Sequence, residues 1–343
     1  AFKLMQALFE NNIDDVHELL DLAAIGTAAD VVPVIGDNRI ILKEGIKLIR
    51  SGERIGIGAL KGAAGIKPDF FKTTFLYYTL IPRINAAGRI ADAADVVRLL
   101  TTESEAEAEG LAKRLNELNS KRQEIEEVVY NEAKEMLNAL HSSRSTLDGA
   151  IVLASEGWHI GVVGIVASRI AEEYYRPTFI LSIENGTAKG SARSIPAFDI
   201  HEGLTKCKGI LKRFGGHKQA AGLSLLSDDI ARFREVISKI AADSVSDDDL
   251  TPALHIDASV SMSDVTIDLI NEIALLEPFG CGNEEPIFGG KGFEVMQPRI
   301  VGKNHLKMRL KQNGRSVDSI GFDFGGLLDV VENAGAIDAA FHP

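Results

Sequence analysis

Apolar positions recur at three- and four-residue spacing through residues 1–20, where Phe2, Leu4, Met5, Leu8, Phe9, Ile13, Val16, Leu19 and Leu20 predict an amphipathic helix or a pair of helices. The stretch Asp21 to Pro33 changes character. Its small and apolar residues predict a buried strand that opens into a loop, with Asp30 at the strand's C-terminal end. Residues 38–66 predict a further helix and a glycine-rich connection. From Glu103 to His141 the chain is charged and periodic: Leu111, Leu115, Leu118, Ile125, Val129, Met136 and Leu140 keep a four-three spacing that Arg122 interrupts. That pattern predicts a helix of roughly 35 residues, about 50 Å long at 1.5 Å per residue, a rod that joins domains and packs back on them.

Beyond it the pattern becomes α/β. Ala150 to Ala154 is a continuous apolar run and predicts a buried strand. Gly157 to Arg169 predicts a loop entering a helix, Pro177 to Ser182 another strand, and Ile200 to Leu211 a helix that delivers the turn Gly215-Gly216-His217. Residues 242–252 are acidic and turn-rich, which marks a linker or exposed loop. In the last hundred residues Leu306, Met308 and Leu310 alternate with Lys307, Arg309 and Lys311. Asn313-Gly314 then signals a hairpin before Val317 and Ile320. One face of that sheet is apolar and the other basic.

At 343 residues, with 45% apolar and 25% charged positions, the chain reads as a globular protein of two or three domains. Its longest apolar runs, such as Ile160 to Val166, fall far short of a membrane span, so no membrane partner is expected and a cytoplasmic location is the default. Cys207 and Cys281 stand far apart without metal-type spacing, which argues against a disulfide framework or zinc site. A net charge of −12 excludes a protein coated in basic surface; a polyanion would have to bind in a local basic cleft. The chain begins at Ala1 inside an apolar helical pattern, without an initiator Met, and is expected to be a fragment.

Two short stretches carry the candidate chemistry. Arg213 to Gly222 sets Gly215, Gly216 and His217 between cations, a composition suited to an anion-binding turn, because glycine lets the backbone approach a phosphate. About twenty residues upstream, Lys189-Gly190-Ser191-Ala192-Arg193-Ser194 repeats the mix of glycine, hydroxyl and cation in a predicted turn, and the two could hold one phosphate from both sides. Each also reads as an ordinary turn. Arg83, Asn85 and Arg89, among the small residues of Pro82 to Arg89, offer a bidentate grip on phosphate or, alternatively, a solvated helix terminus. Asp30 is either a ligand for a hard divalent cation or a cap of the next turn. His159 faces a ligand cleft or is structural. The basic face bearing Lys307 and Arg309 suits a nucleic-acid backbone or is a solvated surface.

Taken together these segments resemble the RecJ family of the DHH phosphoesterase superfamily, 5′-to-3′ exonucleases specific for single-stranded DNA in repair and recombination. The matching pieces are Ala24 to Pro33, Pro82 to Arg89, Gly161 to Arg169, Gly190 to Ser194 and Phe214 to Gly222, in order along most of the chain. The resemblance implies an α/β protein with the C-terminal portion of a DHH catalytic domain at 1–100, a long interdomain helix at 101–142, a DHH-associated substrate-binding domain at 143–245, and a linker with a partial, oligonucleotide-binding (OB)-like β-barrel at 246–343. It implies that Asp30 is the last aspartate of a two-ion Mn²⁺ or Mg²⁺ site, that Arg83, Asn85 and Arg89 are catalytic-site groups near the cleft between the two domains, and that Ser191, Arg193, Ser194, Gly215, Gly216 and His217 bind the phosphate of the DNA.

The departure from the family is large: no Asp-His-His triplet occurs in the sequence. The expectation is therefore a chain that binds single-stranded DNA with little or no nuclease activity, and that self-associates if core surface is exposed. An enzyme for short oligonucleotides is a second reading, disfavoured by the basic β segment. A nucleic-acid-binding module without catalysis is a third, since the DHH-associated domain also occurs in alanyl-tRNA synthetase.

Overall fold

The computed structural model describes residues 1–9, 16–67, 71–143, 149–246 and 248–343, with the backbone alone at 141–143. Part of the amphipathic pattern predicted at 1–20, residues 10–15, lies outside the described residues, as does Asp247 of the acidic stretch. The chain's contacts divide it into two compact units. Ala1–Ser51, Phe71–Tyr77 and Leu254–Pro343 form one, and Gly52–Phe70 with Tyr78–Ala253 the other.

In the first unit, α1 (Phe2–Leu8) precedes a packed pair, α2 (Leu20–Ala29) and α3 (Gly36–Ser51). The strand predicted at Asp21 to Asp30 is thus a helix. Leu20, Asp21, Ala24, Ile25 and Ala28 are buried at helical spacing, and the small residues serve close approach to α3. A Cβ built at Gly45 would lie 2.2 Å from the Leu20 carbonyl oxygen and 2.4 Å from Ala24 Cβ, so the two helices meet backbone to backbone. In the same unit the Arg39 guanidinium donates to the carbonyls of Leu275, Leu276 and Glu277 (3.2, 3.0 and 3.1 Å), and the Val34 N–H to that of Cys281 (2.7 Å).

The β part of this unit is an open sheet. Its strands are β7 (Phe288–Val301), β8 (His305–Gln312), β9 (Arg315–Gly321) and β10 (Ala336–Phe341), in the order β10-β7-β8-β9, and the short β6 (Ala258–Ser259) also pairs with β7. Asn313 (φ 52°) and Gly314 (φ 80°) make the predicted two-residue hairpin. Leu306, Met308 and Leu310 are buried with Met262, Phe293 and Val331, and helix α12 (Leu328–Ala334) closes that side. Helix α11 (Ile267–Ala274) precedes the sheet.

In the second unit, α4 (Ile55–Ala63) replaces the predicted glycine-rich connection. The glycine there is used for contact: a Cβ at Gly56 would fall 1.8 Å from the carbonyl oxygen of Leu99 in α6 (Ala94–Thr101). Helix α5 (Ile81–Ile90) is entered through a π-helical turn, Leu76–Leu80. Pro82 cannot donate a helical hydrogen bond, and the wider turn absorbs the mismatch. The predicted rod is α7 (Glu105–Ser143), 39 residues or about 58 Å, packed along α4, α5, α6 and α8 (Ile160–Tyr174).

A mixed five-stranded sheet completes this unit. The strands β1 (Ile151–Glu156), β2 (Thr178–Glu184), β3 (Thr187–Arg193), β4 (Leu211–His217) and β5 (Ala220–Leu226) lie in the order β1-β2-β3-β5-β4, and only the β1–β2 pair is parallel. Alternation along β1 and β2 feeds two cores. Ile151, Leu153 and Ile180 pack with α7 and α8, while Val152, Phe179 and Leu181 pack against Phe233 and Ile237 of α10 (Ile230–Ser244). Phe179 and Phe233 meet edge to face at 5.4 Å.

Three local predictions need correction. Lys189 to Arg193 is strand β3, because the turn comes earlier: Asn185 (φ 48°) and Gly186 (φ 70°) form a tight hairpin between β2 and β3. Gly215-Gly216-His217 is the end of strand β4, and the turn is Lys218-Gln219. The helix predicted over Ile200 to Leu211 is α9 (Ile200–Lys206), which stops so that Leu211 can enter the sheet.

Candidate nucleic-acid interface

Strand register assembles one face of the second unit's sheet from residues scattered between Lys189 and Ser224. Paired residues in an antiparallel sheet share a face, and neighbours along a strand alternate. Across β3, β5 and β4 the rows are Lys189–Ser224–Arg213, Ser191–Gly222–Gly215 and Arg193–Ala220–His217. The outer columns carry the cations and the centre carries side chains no larger than serine. With strands about 4.8 Å apart, the backbones of Arg193 and His217 stand roughly 10 Å from each other across a shallow floor. The opposite face is apolar: Ala188, Ala192, Ala221, Leu223 and Leu225 are in the core.

Helix α8 covers one edge of this face and leaves room by omission. A Cβ at Gly164 would lie 3.2 Å from Ser191 Oγ and 3.3 Å from Arg193 Nη2, so the hydroxyl and the guanidinium occupy the space a side chain at 164 would take. One turn earlier, a Cβ at Gly161 would sit 2.2 Å from the Arg89 carbonyl oxygen, which brings the end of α5 onto the start of α8. There the Arg89 guanidinium donates to the Gly161 carbonyl (3.1 Å). Arg193 donates to its neighbour's carbonyl, Ala192 (2.9 Å). Neither arginine forms an ion pair among the described residues.

The field at this corner is positive. Burial, and then Arg89, push the Arg193 guanidinium below its usual pKa, and burial followed by Arg122 does the same to Arg89, with Glu126 opposing. Glu126 is itself spoken for. It accepts from Arg122 (2.5 Å) and Arg169 (3.2 Å), and Arg169 also reaches Glu127 (3.0 Å) while stacking over Tyr130 at 3.7 Å. A half-buried and an exposed guanidinium beside a hydroxyl, with their nearest acid already engaged, make a positive corner whose chemistry suits an anion.

The structure distributes the other predicted residues differently. Ser194 is tied up structurally: its hydroxyl donates to the Phe198 carbonyl (2.7 Å) and its N–H to that of Gln219 (2.9 Å). Gly216 (φ 149°) is required by packing, since a Cβ would lie 2.3 Å from the Ala220 carbonyl oxygen. Gly215 has open space above it. His217 is exposed, and its Nδ1 accepts from the Gln219 N–H (3.3 Å), which bridges the hairpin. His159 caps α8 by accepting from the Gly161 N–H (3.0 Å). Arg83, lowered in pKa by burial, donates to Asn116 Oδ1 of α7 (2.9 Å) and to the Thr79 carbonyl (2.8 Å), which fastens α5 to the long helix. Asn85 lies half-buried on α5.

Asp30, in the other unit, is exposed at the C-terminal end of α2, where a helix presents carbonyl oxygens and disfavours an anion unless a cation is near. It provides a single carboxylate. Among the described residues no group of three or more His, Cys, Asp or Glu side chains is arranged to hold a metal ion, so these residues do not by themselves fit a two-ion cage.

On the β7–β9 face, Arg309 pairs with Asp318 (2.7 Å) and Lys311 with Glu294 (3.1 Å). Lys307 lies in register between Arg299 and Ile320, and among the described residues neither Lys307 nor Arg299 is in an ion pair. Arg299, Gly161 and Gly164 were not assigned a binding role from sequence, although Arg122, breaking the apolar stripe of the long helix, was a signal that the helix faces charge at that point.

Residues 148–243 match the DHHA1 domain family and residues 256–343 the RecJ OB domain family. The chain is 38% identical over 331 residues to the single-stranded-DNA-specific exonuclease RecJ of Bacillus subtilis, covering 95% of this chain and 41% of that protein. It is 37% identical over 319 residues to that of Escherichia coli, covering 91% and 55%. The crystal structure of RecJ from Thermus thermophilus in complex with Mn²⁺ superposes with a TM-score of 0.74 at 35% identity, over 88% of this chain and 44% of that one. The chain thus spans about half the length of the relatives it matches. No helix among the described residues is long and apolar enough to cross a membrane. With its α/β architecture, a DHHA1 domain and a RecJ OB domain in succession, the chain belongs to the RecJ family over the stretch it spans.

Proposed function

We propose that this chain binds single-stranded DNA by its 5′-phosphate end, as the substrate-holding part of a RecJ-type 5′-to-3′ exonuclease. The observation that carries the reading is the corner where Arg89, Arg193 and Ser191 converge over Gly161 and Gly164 with no carboxylate paired to either arginine among the described residues. A terminal phosphate carries nearly two charges and an internal diester one, so two adjacent guanidiniums favour the end of a strand over its interior. Arg193 offers a fork of donors and Ser191 a hydroxyl donor. Arg89, anchored on the Gly161 carbonyl, adds charge without having to be ordered on binding. The Gly222 and Gly215 floor lets the sugar-phosphate chain lie close to the sheet, and Lys189 and Arg213 flank its path.

Two Mn²⁺ or Mg²⁺ ions would activate water and stabilise the leaving oxygen in phosphodiester hydrolysis. Asp30 is proposed as one carboxylate ligand of that centre, and with one ligand the chain is expected to bind strands without degrading them. The test is equilibrium binding of 5′-phosphorylated and 5′-hydroxyl oligonucleotides across a salt series, with Mn²⁺-dependent digestion in parallel. The expected result is a salt-sensitive preference for the phosphorylated end that Arg193→Ala removes, and intact strands in the digestion. Equal loss of both substrates in the variant contradicts the phosphate grip, and digestion contradicts the role left to Asp30. A binding module with no part in catalysis is the second reading, favoured by the open face of the OB sheet; binding that ignores the 5′-phosphate would support it.

A further inference from the structure

The long helix α7 turns a buried apolar stripe toward the rest of its unit, and the stripe is broken in its middle. Ala108, Ala112 and Leu115 are buried on one side of the break, and Val129, Ala133 and Leu137 on the other. Between them the same four-three spacing falls on Asn119, Arg122 and Glu126. Asn119 is 4% exposed, Glu126 8% and the Arg122 side chain 11%, so three polar groups stand where the rest of the helix places its core. They satisfy one another. Arg122 donates to Asn119 Oδ1 (2.8 Å) and to Glu126 Oε2 (2.5 Å), and Arg169 of α8 donates to Glu126 Oε1 (3.2 Å). A buried ion pair adds little stability that well-packed apolar side chains would not supply, so stability alone gives no reason for this one.

The position of the break gives a reason. Arg83 of α5 is fastened to Asn116, on the turn of α7 just before it, and Arg169 of α8 to Glu126 within it. Those two helices meet at the phosphate corner, where Arg89 donates to the Gly161 carbonyl. Partial burial is the largest cause of the lowered Arg89 pKa; behind it Arg122 lowers the value further and Glu126 raises it. The other charges along this seam are Glu127 and Glu173, which both act on Arg169, and Lys134, which pairs with Glu173. Arg122 and Glu126 thus act on the same guanidinium with opposite signs, from places fixed by hydrogen bonds.

We propose that Arg122 and Glu126 are positioning residues of the phosphate corner: acting through Arg89, Arg122 raises and Glu126 damps its positive field, and the balance sets how strongly a dianionic strand end is chosen over a monoanionic one. The inference deepens the reading of this corner as a 5′-phosphate site and rests on it. Neither residue has to touch the strand, because charge acts at a distance and is weakly screened where water is excluded.

The experiment uses the full 343-residue chain and three oligothymidylates of equal length. They end in a 5′-phosphate, a 5′-methyl phosphate or a 5′-hydroxyl, so that the end carries about two negative charges, one or none. Glu126→Gln raises the preference for phosphate over methyl phosphate by about threefold or more, and Arg122→Met lowers it by a similar factor. Arg122→Lys keeps the charge and holds the preference. The double variant Arg122→Met/Glu126→Gln, which removes one charge of each sign, returns toward the unmodified chain. A network that only props up the helix would weaken binding in every variant. A lowered preference in all four variants, or no change in any, therefore overturns the inference. Should Glu126→Gln not fold, Arg122→Met against Arg122→Lys decides, and equal loss in the two overturns it. These readouts separate from the phosphate grip: a 5′-phosphate preference that Arg193→Ala erases, but that Glu126→Gln and Arg122→Met leave unmoved, removes this inference and keeps the grip. An unmodified chain that does not distinguish the three ends removes both.

Discussion

Two cationic surfaces sit on two sheets of this chain, and the difference between them lies in what surrounds the charge. On the DHHA1 side, Arg193 is half-buried and Arg89 exposed; neither has an acid of its own among the described residues, and both are held by backbone carbonyls. On the OB sheet, Arg309 is exposed and Lys311 half-buried, each within reach of a carboxylate on the next strand. Sequence shows basic residues in both places. The first arrangement leaves charge to be neutralised by a ligand; the second has already neutralised it. Counting lysines and arginines says little about an anion site, whereas counting the acids that face them says a great deal.

The contrast can be broken in order of expected effect. Phe233 and Phe179 are fully buried in the core on one face of the DHHA1 sheet, so Phe233→Ala, which empties the space against Phe179, should cost about 3–5 kcal/mol of stability in urea unfolding. Ile320→Ala on the open OB face should stay within about 0.5 kcal/mol. Comparable losses would mean that the OB face is covered in solution. Next, Ser191→Asp supplies the missing acid beside Arg193 and should reduce affinity for 5′-phosphorylated strands by roughly tenfold or more, since a like charge then meets the phosphate. The reciprocal change, Asp318→Asn, frees Arg309 and should tighten single-strand binding a few-fold, with a salt slope steeper by about one. An unchanged slope would show that the Arg309–Asp318 pair does not hold in solution.

The smallest effect concerns the seam between α7 and α8. Burial pushes the Glu173 carboxyl up, but hydrogen bonds from Lys134 and from Tyr130 (2.5 Å) outweigh it and hold the group below the usual carboxylate range. A lowered pKa in the folded state stabilises fully above the ordinary carboxyl value of about 4.3, and that contribution drains away as pH falls through the lowered value. Glu173→Gln should therefore be slightly less stable than the parent at pH 7, with the deficit shrinking as pH falls through the lowered value. A deficit that ignores pH would assign the contribution to packing alone.

How much of this was legible from sequence depended on the range of the contacts involved. Periodicity located the long helix, and Asn313-Gly314 located its hairpin, because both signals are local. The same hairpin chemistry at Asn185-Gly186 was present but outweighed by the glycine and cations of Lys189 to Ser194, which suggested a turn where β3 runs. Asp21 to Asp30 read as a strand because small residues look alike when buried in a sheet or pressed against another helix; Gly45, fifteen or more positions away, decides between them. The family resemblance, carried by ordered motifs, survived these local errors. The roles of Gly161 and Gly164 were hidden for a related reason: what they make room for, Arg89, Ser191 and Arg193, lies between 27 and 72 positions away along the chain.

The floor of the phosphate corner is drawn from two separate hairpins, β2–β3 and β4–β5, whose only shared ladder is the β3–β5 pairing. Each hairpin closes over a few residues and can form early and alone, yet neither contains the rows that join Ser191 to Gly222 and Arg193 to Ala220. The surface exists only once the two have met, late in the order of assembly. A phosphorylated strand held as proposed would therefore recognise the finished sheet and not its precursors. At a hundred times its dissociation constant it would add about 2.7 kcal/mol to the folded state, which makes the substrate itself a reporter of complete folding.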